Sequence, residues 1–116
     1  MSDHPVDPEG VVRALFDAYR TEDRQAAEPL VADELSFTSP QDDHIDRAAW
    51  FTRCFPTASR MRRQDMLYVT RVSEADVFVM YEYELLDGTV HRNTEVNTVR
   101  DGQVVEVQVF FGGRVS

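Results

Sequence analysis

The segment Asp76–Phe111, DVFVMYEYELLDGTVHRNTEVNTVRDGQVVEVQVFF, predicts three consecutive antiparallel strands. Two Asp-Gly pairs, Asp87-Gly88 and Asp101-Gly102, separate runs in which apolar and polar residues alternate. An Asp-Gly pair between such runs is typical of a two-residue type I′ hairpin loop, because both central residues then need a positive φ. The turns therefore fix which side chains share a face of the sheet.

With two-residue loops in both hairpins, Met80 lies opposite Glu95, and Glu95 lies opposite Gln108. One predicted face mixes apolar side chains with carboxylates and amides: Phe78, Met80, Glu82, His91, Asn93, Glu95, Asn97, Glu106, Gln108 and Phe110. The other predicted face is largely apolar: Val77, Val79, Tyr81, Tyr83, Arg92, Thr94, Val96, Thr98, Val105, Val107, Val109 and Phe111. A one-residue bulge would exchange the faces, so this assignment depends on the loop length.

The composition narrows the classes of protein. At 116 residues, one domain spanning 1–116 is expected. The 12 Lys and Arg against 21 Asp and Glu give a net charge of −9, which disfavours nucleic acid as a partner. No apolar run reaches the length of a membrane span, and the segment MSDHPVDPEG lacks a signal-peptide core, so a cytoplasmic location is expected. The single cysteine, Cys54, rules out an intrachain disulfide.

The first half of the chain predicts helices. Asp7-Pro8-Glu9 is a good helix start, and apolar residues at helical spacing carry that helix to about Thr21. Asp23 is placed to cap a second helix. A short strand, residues 35–39, and a polar loop, residues 41–44, come next. A third helix is predicted from Asp46 to Phe55, before Pro56, and a further strand from Arg62 to Ser73.

This order predicts an α+β domain in which N-terminal helices pack on one face of a curved, mostly antiparallel sheet. Such a sheet and its helices enclose a cone with a pocket at the open end.

Three segments carry a resemblance to a known family: VVRALFDAYRTEDRQAAEPLVADELSF, FTSPQDDHIDRAAWFTRCFP and VFVMYEYELLDGTVHRNTEVNTVRDGQVVEVQVFFG. Over about Pro8 to Gly112, the chain resembles the SnoaL-like branch of the nuclear-transport-factor-2-like superfamily. The resemblance implies a cone-shaped α+β fold with a deep pocket, often dimeric through the outer face of the sheet. It specifies function weakly, because the fold hosts cyclases, isomerases, dehydratases, epoxide hydrolases and non-catalytic binders.

The resemblance also bears on individual residues. The family's polyketide cyclases end the last strand in a Tyr-Trp-Asp-like sequence, whereas this chain reads Phe110-Phe111-Gly112 and so lacks that acid. The position of the cyclase imidazole falls near Glu95, and ketosteroid isomerases place an acid on the same strand. The epoxide hydrolases need an Asp-Arg-Asp set, for which Arg92 and Glu95 supply at most two members.

Glu95 is the candidate proton-transfer residue, with Asn93 and Asn97 as hydrogen-bonding residues that orient a substrate or a water. A carboxylate in apolar surroundings has a raised pKa and is suited to acid–base catalysis. Hydrophobic burial alone would place the apolar face under the helices. The resemblance instead favours the mixed face as the pocket lining, which assigns to the substrate pocket Glu106, Gln108, Phe78, Met80, Phe110, Trp50 and Phe37.

Two function classes stay open at this point. The first is acid–base catalysis of the isomerase, cyclase or dehydratase type on a small apolar cyclic or carbonyl compound. The second is ligand binding without chemistry.

No cofactor or metal is expected, because the sequence has no phosphate-binding glycine loop and no zinc or calcium spacing. Asp42, Asp43 and His44 could form a rim site or a metal ligand set, but an Asp-rich loop after a proline is more often a turn or a helix cap. A homodimer through the apolar face is expected, with Val79, Val96, Val107, Val109 and Phe111 in the interface.

Overall fold

The structure is a computed structural model and describes residues 7–116. These residues form one six-stranded sheet with three helices on one of its faces. Residues 1–6, which bear on the expected location and on the 1–116 domain boundary, lie outside the described residues. The elements in chain order are α1 Pro8–Arg20, α2 Arg24–Ala27, β1 Val31–Ser39, β2 Asp42–Ile45, α3 Arg47–Arg53, β3 Met61–Arg71, β4 Asp76–Leu85, β5 Val90–Arg100 and β6 Gln103–Arg114. The strand order is β2-β1-β6-β5-β4-β3, and every described pairing is antiparallel except β1 with β6. The predicted α+β class with a mostly antiparallel sheet is therefore confirmed.

Aspartate side chains cap the starts of all three helices. Asp7 accepts a hydrogen bond from Gly10 N at 2.8 Å, and Asp23 accepts one from Ala26 N at 3.1 Å. Asp46 does the same for Ala49 N at 2.9 Å. Each carboxylate satisfies a backbone N–H that the first helical turn leaves without a partner. The predicted starts of the helices are confirmed.

Two predicted boundaries are wrong. The segment predicted as a polar loop, residues 41–44, contributes to strand β2, which pairs with β1. The third helix ends at Arg53 instead of Phe55, and a 3₁₀ turn follows over Phe55–Arg60. Pro56 lies in the first turn of that 3₁₀ segment, where its missing N–H is tolerated.

The first Asp-Gly turn is one residue longer than predicted. Leu85 N donates to Thr89 O, and Gly88 N donates to Leu85 O, each at 2.9 Å, so the loop has three residues. The Asp87 carboxylate accepts bonds from Thr89 N at 2.9 Å and from Thr89 Oγ1 at 2.7 Å. Only Gly88 of the Asp-Gly pair has a positive φ, of 87°. This is the pattern of a three-residue loop closed by a left-handed residue.

The second Asp-Gly turn forms as predicted, but a bulge follows it. Asp101 and Gly102 both have positive φ, of 53° and 75°, as a type I′ loop requires. Arg100 pairs with Gln103 across this loop. The register then shifts between Val99 and Thr98, where β6 accommodates an extra residue, Val105.

Because of these two one-residue shifts, Glu95 shares a face with residues of β4 and β6 that the sequence had assigned to the opposite face. Glu95 pairs with Val79 on one side and with Val109 on the other, instead of with Met80 and Gln108. The predicted sorting of the two faces is therefore wrong. The inner face carries both the acid–amide cluster and the apolar residues, and it packs on α1. The members of this inner face are Val77, Val79, Tyr81, Tyr83, Asn93, Glu95, Asn97, Val99, Val107, Val109 and Phe111.

A third irregularity in β6 fixes the position of Gly112. The pairs Asn93–Phe111 and Arg92–Gly113 leave Gly112 as the bulged residue. A Cβ at this position would lie 2.5 Å from the backbone oxygen of Arg92. The lack of a side chain at Gly112 is thus a steric requirement of the bulge.

Gly112→Ala should destabilise the protein more than Gly88→Ala does. At Gly88 a Cβ meets nothing within 4 Å, so only the positive φ is penalised, by about 1 kcal/mol. At Gly112 the added atom collides with backbone, and overpacking of this kind costs about 1–3 kcal/mol. Urea unfolding of both variants measures the two free energies, and a Gly112→Ala variant as stable as wild type would contradict this account of the bulge.

Candidate active site

A cavity of about 640 Å³ lies between the helices and the inner face of the sheet. Its walls combine apolar and aromatic side chains with hydroxyl and amide groups, which is the usual character of a small-molecule site. The neutral polar residues and the acid in its deeper wall are Tyr19, Thr57, Gln64, Tyr81, Tyr83, Asn93, Glu95 and Asn97, and the lining also includes Ser39, Gln41, Asp42, Arg53 and Arg60. The apolar groups include Leu15, Phe16, Phe37, Trp50, Met61, Val107, Val109 and Phe111.

Glu95 is a buried acid in this cavity. Its side chain projects from β5 between Val79 of β4 and Val109 of β6, and the residue is 7 % exposed. No ion pair to Glu95 occurs within residues 7–116. Besides burial, the groups that act on the pKa of this carboxyl group are the neutral side chains of Asn97 and Tyr81.

One amide binds the carboxyl group, and a second amide binds the hydroxyl group of a neighbouring tyrosine. Asn97 Nδ2 donates to Glu95 Oε1 at 2.9 Å, and Asn97 itself is 1 % exposed. Asn93 Nδ2 donates to the Tyr81 hydroxyl oxygen at 3.3 Å. The Tyr81 hydroxyl also lowers the pKa of Glu95. Asn97 therefore directs a proton toward the carboxylate, while Asn93 fixes Tyr81 on the neighbouring strand.

Desolvation raises the pKa of Glu95 to about 7 from its ordinary 4.5, although hydrogen bonds from Asn97 and Tyr81 act in the opposite direction. Near neutral pH the carboxyl group is therefore populated in both its protonated and its ionised form. Burial likewise raises the pKa of Tyr19 to about 12 and that of Tyr81 well above its usual value. Both phenols stay neutral hydrogen-bond donors at physiological pH.

A second chain of hydroxyl groups lines the helical side of the cavity. Thr57 Oγ1 donates to the Cys54 backbone oxygen at 2.6 Å, and it lies 2.6 Å from the Tyr19 hydroxyl. Because the Thr57 proton is committed to that carbonyl, Tyr19 donates to Thr57. Burial raises the pKa of the Cys54 thiol to about 12, so Cys54 is not a nucleophile at neutral pH.

Two residues of the cavity wall have a buried amide oxygen that is closed off from solvent. Gln64 Oε1 and Asn93 Oδ1 have no hydrogen-bond partner within the described residues. Both residues line the cavity, and each is 6 % exposed. Buried acceptors without donors are uncommon in folded proteins.

The structure brings some of the predicted site residues together and separates others. Asn93, Glu95, Asn97, Phe37 and Trp50 all line the cavity, whereas their functional roles stay predictions. The assignment of five further residues to the pocket is wrong, because the longer first loop and the Val105 bulge turn their side chains to the outer face. These residues are Phe78, Met80, Glu106, Gln108 and Phe110.

The structure also excludes an Arg92–Glu95 pair of the epoxide-hydrolase kind. Arg92 lies on the outer face, where its Nε bonds Glu82 at 3.0 Å, and Arg63 bonds Glu82 at 3.1 Å. Hydrogen bonds from Arg92 and Arg63 lower the pKa of Glu82, so that acid stays ionised. The acid–arginine pairs of β4 and β5 therefore belong to the surface.

The rim of the cavity includes part of the Asp42-Asp43-His44 segment. Asp42 lines the cavity, and Arg53 Nη1 lies 3.3 Å from its Oδ1. No group of three or more His, Cys, Asp and Glu side chains suited to a metal ion occurs in residues 7–116. The absence of a metal or cofactor in the protein stays a prediction.

Sequence reasoning missed Tyr19 and Gln64, and it assigned Tyr81 and Tyr83 to the dimer interface in the predicted register and to the pocket in the opposite register. Tyr19 follows the apolar spacing of α1 and looks like an ordinary core residue. Gln64 shares a face with Met66, but a bulge between Met66 and Tyr68 breaks the alternation along β3. A prediction with a three-residue first loop would have placed Tyr81 and Tyr83 of β4 on the same face as Glu95.

Comparison with solved structures identifies the fold. An NTF2-like protein of unknown function from Cytophaga hutchinsonii is 15% identical, with a TM-score of 0.74, over 95% of this chain and 94% of that chain. The chain has an NTF2-like fold. The Δ5-3-ketosteroid isomerase from Mycobacterium sp. is 14% identical, with a TM-score of 0.73, over 96% of this chain and 98% of that one. An LEH-like epoxide hydrolase of M. tuberculosis is also 14% identical, with a TM-score of 0.73, over 90% of this chain and 82% of that one.

These likenesses confirm the expected cone at the level of the fold and leave the activity open. The sequence matches no protein-family model and no curated protein. Within residues 7–116, no helix has the length and hydropathy needed to cross a bilayer.

Glu95 should make stability depend on pH with a defined sign. Its pKa of about 7 in the folded protein exceeds the ordinary 4.5, so the folded state binds this proton more tightly than the unfolded state does. The contribution of Glu95 to the free energy of unfolding is fully present below pH 4.5 and is lost as the pH rises through 7. The whole shift corresponds to on the order of 3 kcal/mol.

Urea unfolding of wild type and Glu95→Gln between pH 4 and pH 8 isolates this contribution, because the amide cannot ionise. The stability of wild type relative to the variant should fall across this range. Parallel pH profiles for the two proteins would show that Glu95 titrates like an exposed carboxyl group.

Proposed function

We propose that the protein binds a small, largely apolar carbonyl compound and moves a proton on it through Glu95. The observation that carries the proposal is a buried carboxyl group in a cavity, hydrogen-bonded to a neutral amide, with a pKa of about 7. A general acid–base group works best when its pKa is close to the working pH. The volume of about 640 Å³ suits a molecule of one to a few rings.

The proposed chemistry is proton transfer at the carbon next to a carbonyl group. The Glu95 carboxylate takes the proton, and the electron pair of the broken C–H bond moves into the C–C bond while the carbonyl oxygen becomes an enolate oxygen. A neutral phenol stabilises that oxygen by hydrogen bonding, and we assign this role to Tyr83, which lines the cavity and whose pKa is raised by burial. Protonated Glu95 then returns the proton to the same or to another carbon.

The amides support this reaction by positioning. Asn97 fixes one oxygen of Glu95, and Asn93 fixes the Tyr81 hydroxyl. Locked rotamers of this kind keep the proton-transfer group aligned with the substrate. The Δ5-3-ketosteroid isomerase with the same fold carries a name that is consistent with proton transfer next to a carbonyl group.

Ligand binding without chemistry is the second candidate. One observation favours it: the position at which the resemblance places a cyclase acid is Gly112, which has no side chain and no space for one beside Arg92. Glu95 would then have no second ionisable partner of that kind. In this case Glu95 serves as a hydrogen-bonding group toward the ligand and never releases its proton.

Glu95→Gln should lower the rate of α-proton exchange by about 10²-fold or more, because an amide keeps the shape and cannot transfer a proton. The assay is hydrogen–deuterium exchange at the α-carbons of a panel of cyclic ketones in D₂O, followed by proton NMR. Glu106→Gln is the matched control, since Glu106 lies on the outer face. No exchange in wild type, or equal exchange in wild type and Glu95→Gln, would refute proton transfer by Glu95 and leave ligand binding as the function.

We also propose a homodimer through the outer face of the sheet, with an interface different from the one expected from the sequence. Four of the expected residues, Val79, Val107, Val109 and Phe111, belong to the inner face, and only Val96 lies outside. The outer face presents a row of neighbours on adjacent strands, Tyr68, Met80, Thr94 and Phe110. Tyr68 and Phe110 are 60 % and 55 % exposed, which is unusual for large side chains in one row.

Phe110→Ser should weaken such a dimer by at least about tenfold, because aromatic side chains near the centre of an interface dominate its affinity. Light scattering coupled to size-exclusion chromatography measures the mass over a concentration series. Val72→Ser is the control, since Val72 is 60 % exposed in the turn after β3 and not in the row. A wild-type protein that is monomeric at micromolar concentration would refute the dimer.

A further inference from the structure

The charged side chains that line the cavity do not balance one another. They are Asp42, Arg53, Arg60 and Glu95. Arg53 Nη1 lies 3.3 Å from Asp42 Oδ1, so these two charges compensate each other at the rim. Glu95 is buried and is partly protonated near neutral pH. Among the described residues of the cavity wall, the positive charge of Arg60 therefore has no acid to compensate it.

Arg60 differs in this respect from the arginines that follow it in the sequence. Arg62 donates to the Leu86 backbone oxygen at 3.0 Å. Arg63 bonds Glu82 at 3.1 Å. In the described part of the chain, Arg60 forms no ion pair. Because the chain as a whole has a net charge of −9, an arginine without an acidic partner is a local site of attraction for an anion.

The backbone holds Arg60 at the mouth of the cavity. Arg60 ends the 3₁₀ segment Phe55–Arg60, and its backbone oxygen accepts a bond from Leu86 N at 3.1 Å. The next residue, Met61, pairs with Leu85 at the end of β4. Arg60 is exposed and also lines the cavity, so its guanidinium group is accessible to a molecule that enters.

Strand β4 runs from this mouth to the interior. Val79 pairs with Glu95, whereas Leu85, six positions further along β4, lies at the mouth. These two points of the strand are roughly 20 Å apart. Tyr83 lies between them on the same face and lines the cavity. A ligand of about two rings that places its carbonyl group at Glu95 and Tyr83 therefore has its far end on the side of Arg60.

We propose that Arg60 binds a carboxylate group at the far end of the ligand. This inference rests on the proposed function and refines its substrate class, from a carbonyl compound to a carbonyl compound that carries a carboxylate. A guanidinium group matches a carboxylate in charge and in shape, because two parallel N–H donors meet its two oxygens. A single unpaired guanidinium group suits a monoanion better than a phosphate dianion, which usually collects several donors at once.

The carboxylate fixes the direction in which the ligand enters the cavity. At the mouth its charge stays in contact with water and with Arg60, whereas burial of the same charge beside Glu95 would carry the full cost of desolvation. The uncharged carbonyl end of the ligand therefore points inward. Arg60 is a binding residue and takes no part in the proton transfer.

Isothermal titration calorimetry with 6-acetyl-2-naphthoate and 6-acetyl-2-naphthamide tests the inference, because the two probes have nearly the same size and differ in charge. At pH 6 the carboxyl group of the first probe is ionised, whereas Glu95 is largely protonated. Wild type should bind the carboxylate at least about fivefold more tightly than the amide. Arg60→Gln should bring this affinity ratio toward one, and Arg60→Lys, which keeps the charge, should retain part of it.

Arg100→Gln is the matched control for the loss of one positive charge. Arg100 is exposed at the end of β5 that lies away from the mouth, and it does not line the cavity. The affinity ratio should be unchanged in this variant. In wild type the ratio should shrink as the ionic strength rises from about 0.05 M to about 0.5 M, because salt screens an interaction between partly exposed charges.

Four results would overturn the inference. They are equal binding of both probes to wild type, a ratio that Arg60→Gln leaves unchanged, a ratio that Arg60→Gln and Arg100→Gln lower equally, and no binding of the carboxylate at millimolar concentration.

The outcome is separable from that of the proposed function, because both probes carry an acetyl group whose methyl protons exchange in D₂O. A carboxylate preference in a protein with no exchange activity would keep the ligand class and remove the proton transfer. Exchange that is lost in Glu95→Gln, together with equal binding of both probes, would keep the chemistry and remove the role of Arg60.

Discussion

The hydrogen bonds between the Asp87 carboxylate and Thr89 set the arrangement on which the site depends. They stabilise a three-residue loop in which Gly88 alone takes a positive φ. A two-residue loop would shift β4 against β5 by one residue and turn the side chains of one strand to the other side of the sheet. The loop therefore determines that Glu95 lies beside Val79 in the core. A solvent-exposed turn at one end of the molecule thus controls the composition of a buried cavity.

Opposing requirements meet at Glu95. The inner face must be apolar enough to pack against α1, yet it carries an acid and two asparagines. The fold tolerates them because each is tied to a neighbour: Asn97 to Glu95, and Asn93 to Tyr81. The remaining imbalance shows as a raised pKa and as acceptors without donors, which are the properties of a site that binds or reacts. The surface carboxylate of Glu82, held between two arginines, shows the opposite behaviour on the other face of the same sheet.

The sequence predicts the fold well and the site in part. Helix starts at Asp7, Asp23 and Asp46 follow from local capping chemistry, and the strands follow from alternation and turn residues. Glu95, Asn93 and Asn97 are correctly grouped because they alternate along one strand. The residues that face them on β4 and β6 are not predicted correctly. The same pattern of residue types is compatible with loops of two or three residues, and with or without an extra residue at Val105 and a bulge at Gly112. Gln64 carries no local signal at all, since only the tertiary structure buries its amide oxygen without a donor.

The parallel pairing of β1 with β6 has a consequence for how the chain reaches this structure. Phe37 of β1 lies beside Val107 of β6, seventy positions further along the sequence. Contacts between such distant segments form slowly, because the loss of chain entropy comes before the gain from packing. The antiparallel strands β3 to β6 can pair with one another through short loops. By contrast, β1 can join the sheet only after β6 has formed, because β6 is the strand that connects it to β5. During synthesis on the ribosome, the N-terminal third would therefore emerge well before its partner strand, with apolar residues exposed to chaperones and proteases.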